Sequence, residues 1–291
     1  MENHEVEPVL RVQNLVKVYR KTHTALRGIS FSVRPSQVYA LLGRNGAGKT
    51  TTLKSIMGWL RYSGEIRVLG SSVDAVRQKI AYVPEEKSLY GQHHLLQTIH
   101  LCQRMFPDFR KEAMVELAHR FEIPMKRKLG SFSLGMRSIV YTLIALSRDA
   151  EIYMLDEPGL GLDAIIRESL MELIREKLYE GKTVLYTSHI IQEVERIADW
   201  VSIIDHGKIL LSVLVDDIKE QYRTFFIPFD QEPLLRTFSF RSVWKKSTHW
   251  LGISDRKDQW ESLRDRPGIS SEVPDLDSFF RILVRGQSNV V

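Results

Sequence analysis

The sequence predicts an α/β fold, in which buried parallel strands alternate with helices. Two observations support this prediction. Short apolar runs recur along the chain, as expected for strands that are covered on both faces of a sheet. Segments with helical spacing of apolar residues follow these runs. The predicted strands cover residues 37–42, 151–155, 183–187 and 200–204. One predicted helix begins near residue 50, and two more cover residues 164–179 and 190–198.

Two further regions interrupt this alternation. Residues 9–19 and 28–33 alternate apolar and polar side chains, which predicts antiparallel strands. Residues 64–70 and 80–83 are predicted to be two more short strands. From residue 95 to about residue 146 the strand pattern is absent and helical spacing takes its place. We therefore expect an antiparallel β subdomain and a helical insertion within the α/β domain.

The pattern weakens past residue 223, where prolines separate short apolar segments. We therefore predict a large first domain over residues 1–223, with the helical subdomain at about 90–147, and a small accessory domain over residues 224–291. The turn at residues 205–208 contains Gly207 at a position where a positive φ is expected.

Composition restricts the functional classes. The chain has 291 residues, a formal net charge of +5 and a single cysteine, Cys102, which excludes an intramolecular disulfide. No apolar stretch has the length of a membrane span, and the first eight residues lack a secretory signal pattern. We therefore expect a cytoplasmic protein whose work at a membrane would require a separate partner. Nucleic-acid binding is not expected, because no aromatic and basic recognition module accompanies the charges.

Residues 43–51 form the most specific motif of the chain. Gly43, Gly48, Lys49 and Thr50 fit the pattern G-x-x-x-x-G-K-[ST] between a predicted strand and a predicted helix. Glycines let backbone N–H groups surround phosphate oxygens, and the helix adds the positive end of its dipole. Lys49 is expected to reach the β- and γ-phosphates, and the Thr50 hydroxyl to bind Mg²⁺. The predicted phosphate contacts are Gly43, Arg44, Asn45, Gly46, Ala47, Gly48, Lys49, Thr50 and Thr51.

Two carboxylates follow the predicted strand 151–155. Asp156 leaves a buried strand beside the phosphate loop, which is the position of a residue that holds Mg²⁺ directly or through water. Glu157 points elsewhere and is predicted to polarise a water molecule in line with the γ-phosphate. His189 ends the next strand, where α/β sheets bind ligands, and is predicted to contact the γ-phosphate and the attacking water.

A second candidate anion site lies at the start of the helix predicted over residues 133–147. Ser133 and Gly135 offer a hydroxyl group, backbone N–H groups and a helix N-terminus. Serine is also a favoured capping residue, so an ordinary helix cap remains an alternative for Ser133. Neither residue identifies a function without the other motifs.

Taken in order, these motifs resemble the nucleotide-binding subunit of ATP-binding cassette (ABC) transporters over residues 9–220. The resemblance implies a P-loop NTPase core that binds ATP and Mg²⁺. It assigns residues 43–51 to Walker A, 152–157 to Walker B, 132–136 to the signature and 161–163, with Asp163, to the D-loop. His189 matches the switch histidine. Tyr19 matches the aromatic residue that stacks on adenine, although a strand-end tyrosine with no ligand is the alternative.

The chain departs from the family pattern at two motifs. Leu134 and Met136 replace a glycine and a glutamine of the signature. Glu85 stands where the family has the Q-loop glutamine, and its carboxylate is predicted to approach Mg²⁺ through water. Both variants resemble the type-two ABC exporter branch, in which ATPase and permease are separate chains. Residues 274–283 are similar to the closing helix of C-terminal extensions in that branch.

The resemblance implies the partners and the location. The signature of one subunit closes on ATP held by another, so we expect a head-to-tail homodimer or a heterodimer with a paralogous ATPase. An integral membrane permease would contact residues 90–147 and the Glu85 loop, with the ATPase peripheral on the cytoplasmic face of the cell membrane. One alternative is a soluble ABC ATPase that acts on ribosomes or nucleic acid. Another is a P-loop kinase, and the release of phosphate from ATP without an acceptor molecule would exclude the kinase.

Overall fold

The computed structural model describes residues 7–20, 22–87 and 91–286. These residues form two compact units, the first within Met1–Ala198 together with Ile204–Ile209, and the second within Asp199–Ile203 together with Leu210–Val291. The chain thus changes unit within the strands near residues 199–210. The predicted domain boundary at residue 223 lies further along the chain and stays a prediction.

The first unit contains the predicted strands and helices in the expected order. It begins with β1 (Leu10–Tyr19), β2 (His23–Val33), β3 (Val38–Leu42), α1 (Lys49–Ile56), β4 (Ser63–Val68), α2 (Val73–Val76) and β5 (Ile80–Val83). It continues with α3 (Leu95–Met105), α4 (Lys111–Arg120), α5 (Leu134–Leu146), β6 (Ile152–Asp156), α6 (Ala164–Tyr179), β7 (Thr183–Ser188) and α7 (Ile191–Ile197). These elements confirm the predicted α/β fold.

Two strands and the second unit complete the element order. The strands β8 (Trp200–Asp205) and β9 (Lys208–Leu214) each contribute residues to both units. The second unit continues with α8 (Val215–Gln221), β10 (Arg223–Pro228), α9 (Leu234–Thr237), β11 (Ser242–Lys245), β12 (His249–Ser254), α10 (Lys257–Arg264), β13 (Ser270–Glu272) and α11 (Leu276–Arg285). No described helix combines the length and the apolar character that a membrane span requires.

The six-stranded sheet has the order β5-β6-β7-β3-β8-β9. Strands β5, β6, β7 and β3 pair in parallel, and every residue of β3, β6 and β7 is buried. Strands covered on both faces must be apolar throughout, which explains the continuous apolar runs of the sequence. Because β6, β7 and β3 are neighbours, the segments that follow them emerge at the same edge of the sheet. This edge carries the phosphate loop, the paired carboxylates and His189.

The antiparallel subdomain has the strand order β2-β1-β4. Leu10 of β1 pairs with Val33 of β2 and with Val68 of β4, and all three are buried. The second strand begins at His23, five residues before the sequence-based start at residue 28, because His23 already pairs with Tyr19 across the hairpin. The alternating pattern of these strands reflects one buried face.

The helical insertion consists of α3, α4 and α5, as predicted. Apolar residues of all three helices belong to one buried cluster, which also includes residues of β5, β6 and α6. Arg148, just after α5, is buried and binds the carbonyl oxygens of Ile80 and Gln78 and the Asp108 carboxylate. These contacts join the insertion to the start of β5 and account for a buried arginine that would otherwise be costly.

The second unit contains a four-stranded antiparallel sheet in the order β11-β12-β10-β13. One face of this sheet packs a cluster that includes Phe225, Ile227, Val243 and Leu263. Helix α11 lies at the position of the predicted closing helix and buries Phe279. The apolar residues of α11 recur at helical spacing, which gives this helix one buried face.

Candidate active site

The loop between β3 and α1 forms one wall of the candidate site. Gly48 ends this loop with a φ of 116° and is the N-cap of α1. A Cβ at Gly48 would lie 2.8 Å from Leu26 Cδ2 and 3.1 Å from the Ala25 carbonyl oxygen. Both the backbone conformation and the space therefore require glycine. No side chain caps α1, which leaves the first-turn N–H groups available to an anion.

Lys49 is buried at the start of α1. Its Nζ donates to the carbonyl oxygens of Gly43 at 2.8 Å and Arg44 at 3.2 Å. The same Nζ lies 3.1 Å from Glu157 Oε1, and both side chains are almost fully enclosed. A buried ion pair of this kind requires close contact because both charges have lost their hydration. A phosphate group that reaches Lys49 competes with the Glu157 carboxylate for the same ammonium.

Asp156 is the last residue of β6 and is completely buried. Its Oδ1 accepts a hydrogen bond of 2.6 Å from the Thr187 hydroxyl, whereas Oδ2 is buried without a hydrogen-bond partner. Burial raises the pKa of the Asp156 carboxyl, and the hydrogen bond from Thr187 acts in the opposite direction. A buried carboxylate oxygen with no donor is a position that a cation would satisfy.

Glu157 follows directly and has a left-handed backbone, with a φ of 48°. Its N–H donates to the Thr187 hydroxyl oxygen at 3.1 Å and to the Thr187 carbonyl oxygen at 3.2 Å. This conformation turns the side chain of Glu157 away from that of Asp156 and toward Lys49. The two adjacent carboxylates therefore face different groups, as predicted.

His189 follows β7 and contacts the other oxygen of Glu157. The distance from His189 Nδ1 to Glu157 Oε2 is 2.9 Å. An ionised carboxylate only accepts hydrogen bonds, so a bond from His189 to such a carboxylate requires the tautomer with a proton on Nδ1. Behind His189, the buried carboxylate of Glu193 accepts from Ser188 Oγ at 2.7 Å and from Tyr186 Oη at 2.8 Å. This network anchors the segment that presents the imidazole.

A cavity of about 270 Å³ extends from Lys49 and Glu157 along the phosphate loop. Tyr19 lines the cavity and lies under Lys17 Nζ, which is 4.8 Å from the ring centroid. The lining of the cavity is formed by Tyr19, His23, Ala25, Asn45, Gly46, Gly48, Lys49, Thr50, Thr51, Glu85 and Glu157. Tyr19 therefore borders the same cavity as the phosphate loop, and its contact with adenine stays a prediction.

Thr50 and Glu85 of the cavity lining, together with the buried Asp156, offer oxygen ligands of the kind that Mg²⁺ prefers. Thr50 Oγ1 donates to Glu85 Oε2 at 3.0 Å, and Asp156 contributes its unpartnered Oδ2. Within the described residues, no group of three or more histidine, cysteine or acidic side chains could enclose a metal. Mg²⁺ does not require such a group, because it keeps water and phosphate oxygens as ligands beside one or two carboxylates. Thr50, Asp156 and Glu85 therefore fit the ion.

The signature residues are outside the lining of this cavity. Ser133 is the N-cap of α5, and its Oγ accepts a hydrogen bond of 3.1 Å from the Met136 N–H. Asp163 is the N-cap of α6 and accepts from two backbone N–H groups at 3.0 Å. Gly135 is in close contact with Gly161, whose carbonyl oxygen would lie 2.3 Å from any Cβ at residue 135. Within its own chain, Ser133 therefore acts as a helix cap, which is the alternative given above.

Two residues near the carboxylates had not been selected from the sequence. Thr187 binds both Asp156 and Glu157, and its position at the end of a strand beside β6 was the available signal. Lys87 Nζ donates to the Glu157 carbonyl oxygen at 2.9 Å. Burial lowers the pKa of Lys87. A lysine after two glutamates gives no sequence signal for such a contact.

Comparison with known proteins shows to which family a chain with this site belongs. The ABC transporter family model matches residues 26–159. The linearmycin resistance ATP-binding protein LnrL of Bacillus subtilis is 34% identical over 212 residues, which are 69% of this chain and 68% of that protein. The Nod factor export ATP-binding protein I of Ralstonia nicotianae is 33% identical and aligns with 69% of this chain and 65% of that protein.

A solved structure agrees with the same family. The ATP-binding subunit of an ABC transporter superposes with a TM-score of 0.67 at 29% identity, and covers 73% of this chain and 92% of that subunit. The similarity to this subunit agrees with the phosphate loop and the paired carboxylates found at the site. The chain belongs to the ABC transporter family, as an ATP-binding and ATP-hydrolysing subunit.

Proposed function

We propose that Glu157 is the general base of ATP hydrolysis and that Lys49, His189 and the loop 43–51 hold the phosphates and the attacking water. One observation carries this proposal. The Glu157 carboxylate lies 3.1 Å from Lys49 Nζ and 2.9 Å from His189 Nδ1, at the wall of the cavity lined by the phosphate loop. No other described carboxylate contacts both residues.

The chemistry follows from these positions. The oxygen of a water molecule forms a bond to the γ-phosphorus, while the bond from the γ-phosphorus to the bridging oxygen breaks and ADP keeps the electron pair. Glu157 accepts the water proton, and His189 holds the water and a γ-phosphate oxygen. Lys49 neutralises the phosphate charge. Bound Mg²⁺, held by Thr50, Asp156 and Glu85, would stabilise charge on the β- and γ-phosphate oxygens.

The substitution Glu157→Gln tests the general base. It removes the proton acceptor and the ion pair with Lys49, so we expect ATP affinity to be kept or raised while turnover falls about a hundredfold or more. Phosphate release and nucleotide binding measure the two effects. The control is Glu86→Gln, which neutralises an exposed carboxylate and should leave turnover unchanged. Normal turnover of Glu157→Gln would refute the assignment.

We propose further that two subunits complete each site. Ser133, Gly135 and Asp163 belong to helix starts that do not line the cavity of their own chain. A head-to-tail arrangement would bring them to ATP bound on a second subunit, either a copy of this chain or a paralogous ATPase. ATP would then hold the dimer together, and ATP hydrolysis would let the two subunits separate.

The permease is proposed to bind a groove of the first unit. This groove, of about 660 Å³, lies between the helical insertion and β5, whose end leads into the loop with Glu85. Trp59 and Met105 are 50% and 60% exposed there and add to a contiguous apolar surface, which is typical of an interaction site. Its apolar lining includes Met57, Trp59, Tyr82, Met105, Phe106 and Tyr141. An apolar helix end of a membrane protein matches this surface.

The substitution Trp59→Glu tests the groove. A charge in an apolar interface should abolish co-purification of the membrane partner and leave the ATPase activity of the isolated chain within about twofold. The matched control is Tyr179→Glu, since Tyr179 is an aromatic residue of the same unit that is 89% exposed. Retention of the partner by Trp59→Glu would place the permease elsewhere.

We propose export as the direction of transport and the cytoplasmic face of the cell membrane as the location. The relatives named above act in export and in resistance, according to their names. A manganese transport ATP-binding protein of Halalkalibacterium halodurans is also 31% identical over 222 residues, so identity alone does not decide the direction. The accumulation of cargo in vesicles that contain the complete transporter would decide it.

A further inference from the structure

Lys87 is a half-buried lysine that the reaction scheme does not use. Its Nζ donates to the Glu157 carbonyl oxygen at 2.9 Å, and it makes longer contacts with the carbonyl oxygens of Glu85 at 3.4 Å and Asp156 at 3.5 Å. Among the described residues, no carboxylate lies within ion-pair distance of this ammonium. The ammonium therefore binds main chain, and its nearest acceptor is the peptide of the proposed general base.

The backbone conformation of Glu157 requires stabilising contacts. A φ of 48° is uncommon for a residue with a side chain, and such conformations persist only where the surroundings hold them. Thr187 holds the N–H of Glu157, as described above. On the other side, the Glu157 carbonyl oxygen accepts from Lys87 Nζ and from the Leu160 N–H at 3.2 Å. The carbonyl has two lone pairs and can accept both bonds.

Two lysines thus hold Glu157 by different atoms. Lys49 pairs with its carboxylate, and a bound phosphate group would compete for the same ammonium, as described above. Lys87 binds the main chain, so its contact does not depend on where the carboxylate points. It can therefore keep the backbone of Glu157 in place while the side chain changes partner from Lys49 to water.

We propose that Lys87 is a positioning residue that fixes the backbone of Glu157 and couples it to the loop that carries Glu85. Lys87 is two residues from Glu85, whose side chain binds Thr50 of the phosphate loop. A movement of this loop withdraws the ammonium from the Glu157 carbonyl oxygen, and the base loses its orientation. This inference rests on the proposed role of Glu157 as general base.

The substitution Lys87→Met tests the proposal on the full-length chain, because methionine fills similar space and removes the ammonium. We expect kcat for ATP to fall about tenfold or more, with KM and ATP affinity within about twofold of the wild type. Lys87→Arg, which retains a long cationic donor, should recover most of the lost kcat. Lys208→Met, at an exposed lysine of β9, is the matched control and should leave kcat unchanged.

A double mutant separates positioning from a general structural effect. If Lys87 acts through Glu157, adding Lys87→Met to Glu157→Gln should lower the residual kcat by less than about twofold. Lys87→Gln, which is too short to reach the same oxygen, should repeat the loss of kcat should Lys87→Met fail to fold. Unchanged kcat, a rise in KM alone, or additive losses in the double mutant would overturn the role of Lys87. Normal turnover of Glu157→Gln alone would instead overturn the proposed base.

Discussion

At the scale of the residue, Thr187 organises the two carboxylates. Its hydroxyl donates to Asp156 Oδ1 and accepts from the Glu157 N–H, so one oxygen positions both groups. Valine has nearly the same shape as threonine but offers neither bond. The contribution of this residue can therefore be measured with little change in packing.

The substitution Thr187→Val should lower ATPase activity about tenfold or more at neutral pH, because hydrogen bonds to charged groups contribute about 1.5–3 kcal/mol. Burial already raises the pKa of Asp156, and the Thr187 hydrogen bond opposes this rise. Loss of the bond raises the pKa further, so protons compete better with Mg²⁺ at low pH. The defect should therefore shrink as pH increases, in rates measured against Mg²⁺ concentration.

Thr187→Ser is the control for this prediction. Serine keeps the hydroxyl group and should retain most of the activity across the same pH range. A defect in Thr187→Val that does not change with pH would indicate that Thr187 acts only on Glu157 and not on the protonation of Asp156.

At the scale of the element, the sequence predicted the parts of the site that follow buried parallel strands. The apolar runs of β3, β6 and β7 are continuous because both faces of the sheet are covered, so their ends and the polar residues there were visible. The short antiparallel strands of the second unit lack this signal. In β11, Ser242 and Val243 are both buried, which conceals the alternation of its two faces.

The contacts that were missed join residues far apart in the chain. Lys87 and its acceptor Glu157 are separated by 70 positions, and Thr187 is 31 positions from Asp156. Local spacing indicates which face of an element a residue occupies, but it does not indicate which other loop lies opposite. The residues of the phosphate loop were predictable because their partner is a ligand with known chemistry, and not another part of the chain.

At the scale of the whole molecule, the proposed dimer makes a prediction that a single chain does not. Each site would combine the phosphate loop of one subunit with Ser133 of the other. A chain with Lys49→Ala lacks a working phosphate loop, and a chain with Ser133→Arg cannot serve its partner, so each homodimer should be nearly inactive. In a mixed dimer, one of the two sites contains Lys49 from one chain and Ser133 from the other, and is intact.

Mixing the two inactive variants should therefore restore activity, to about a quarter of the wild-type rate if subunits exchange freely and sites act independently. The control is a mixture of Lys49→Ala and Glu157→Gln, whose defects lie on the same side of each site. Every site in that mixture contains one defect, so no recovery is expected. Recovery in the control, or none in the first mixture when exchange is verified, would contradict the shared site. Melting temperatures of the variants establish that Ser133→Arg, which also removes the cap of α5, remains folded.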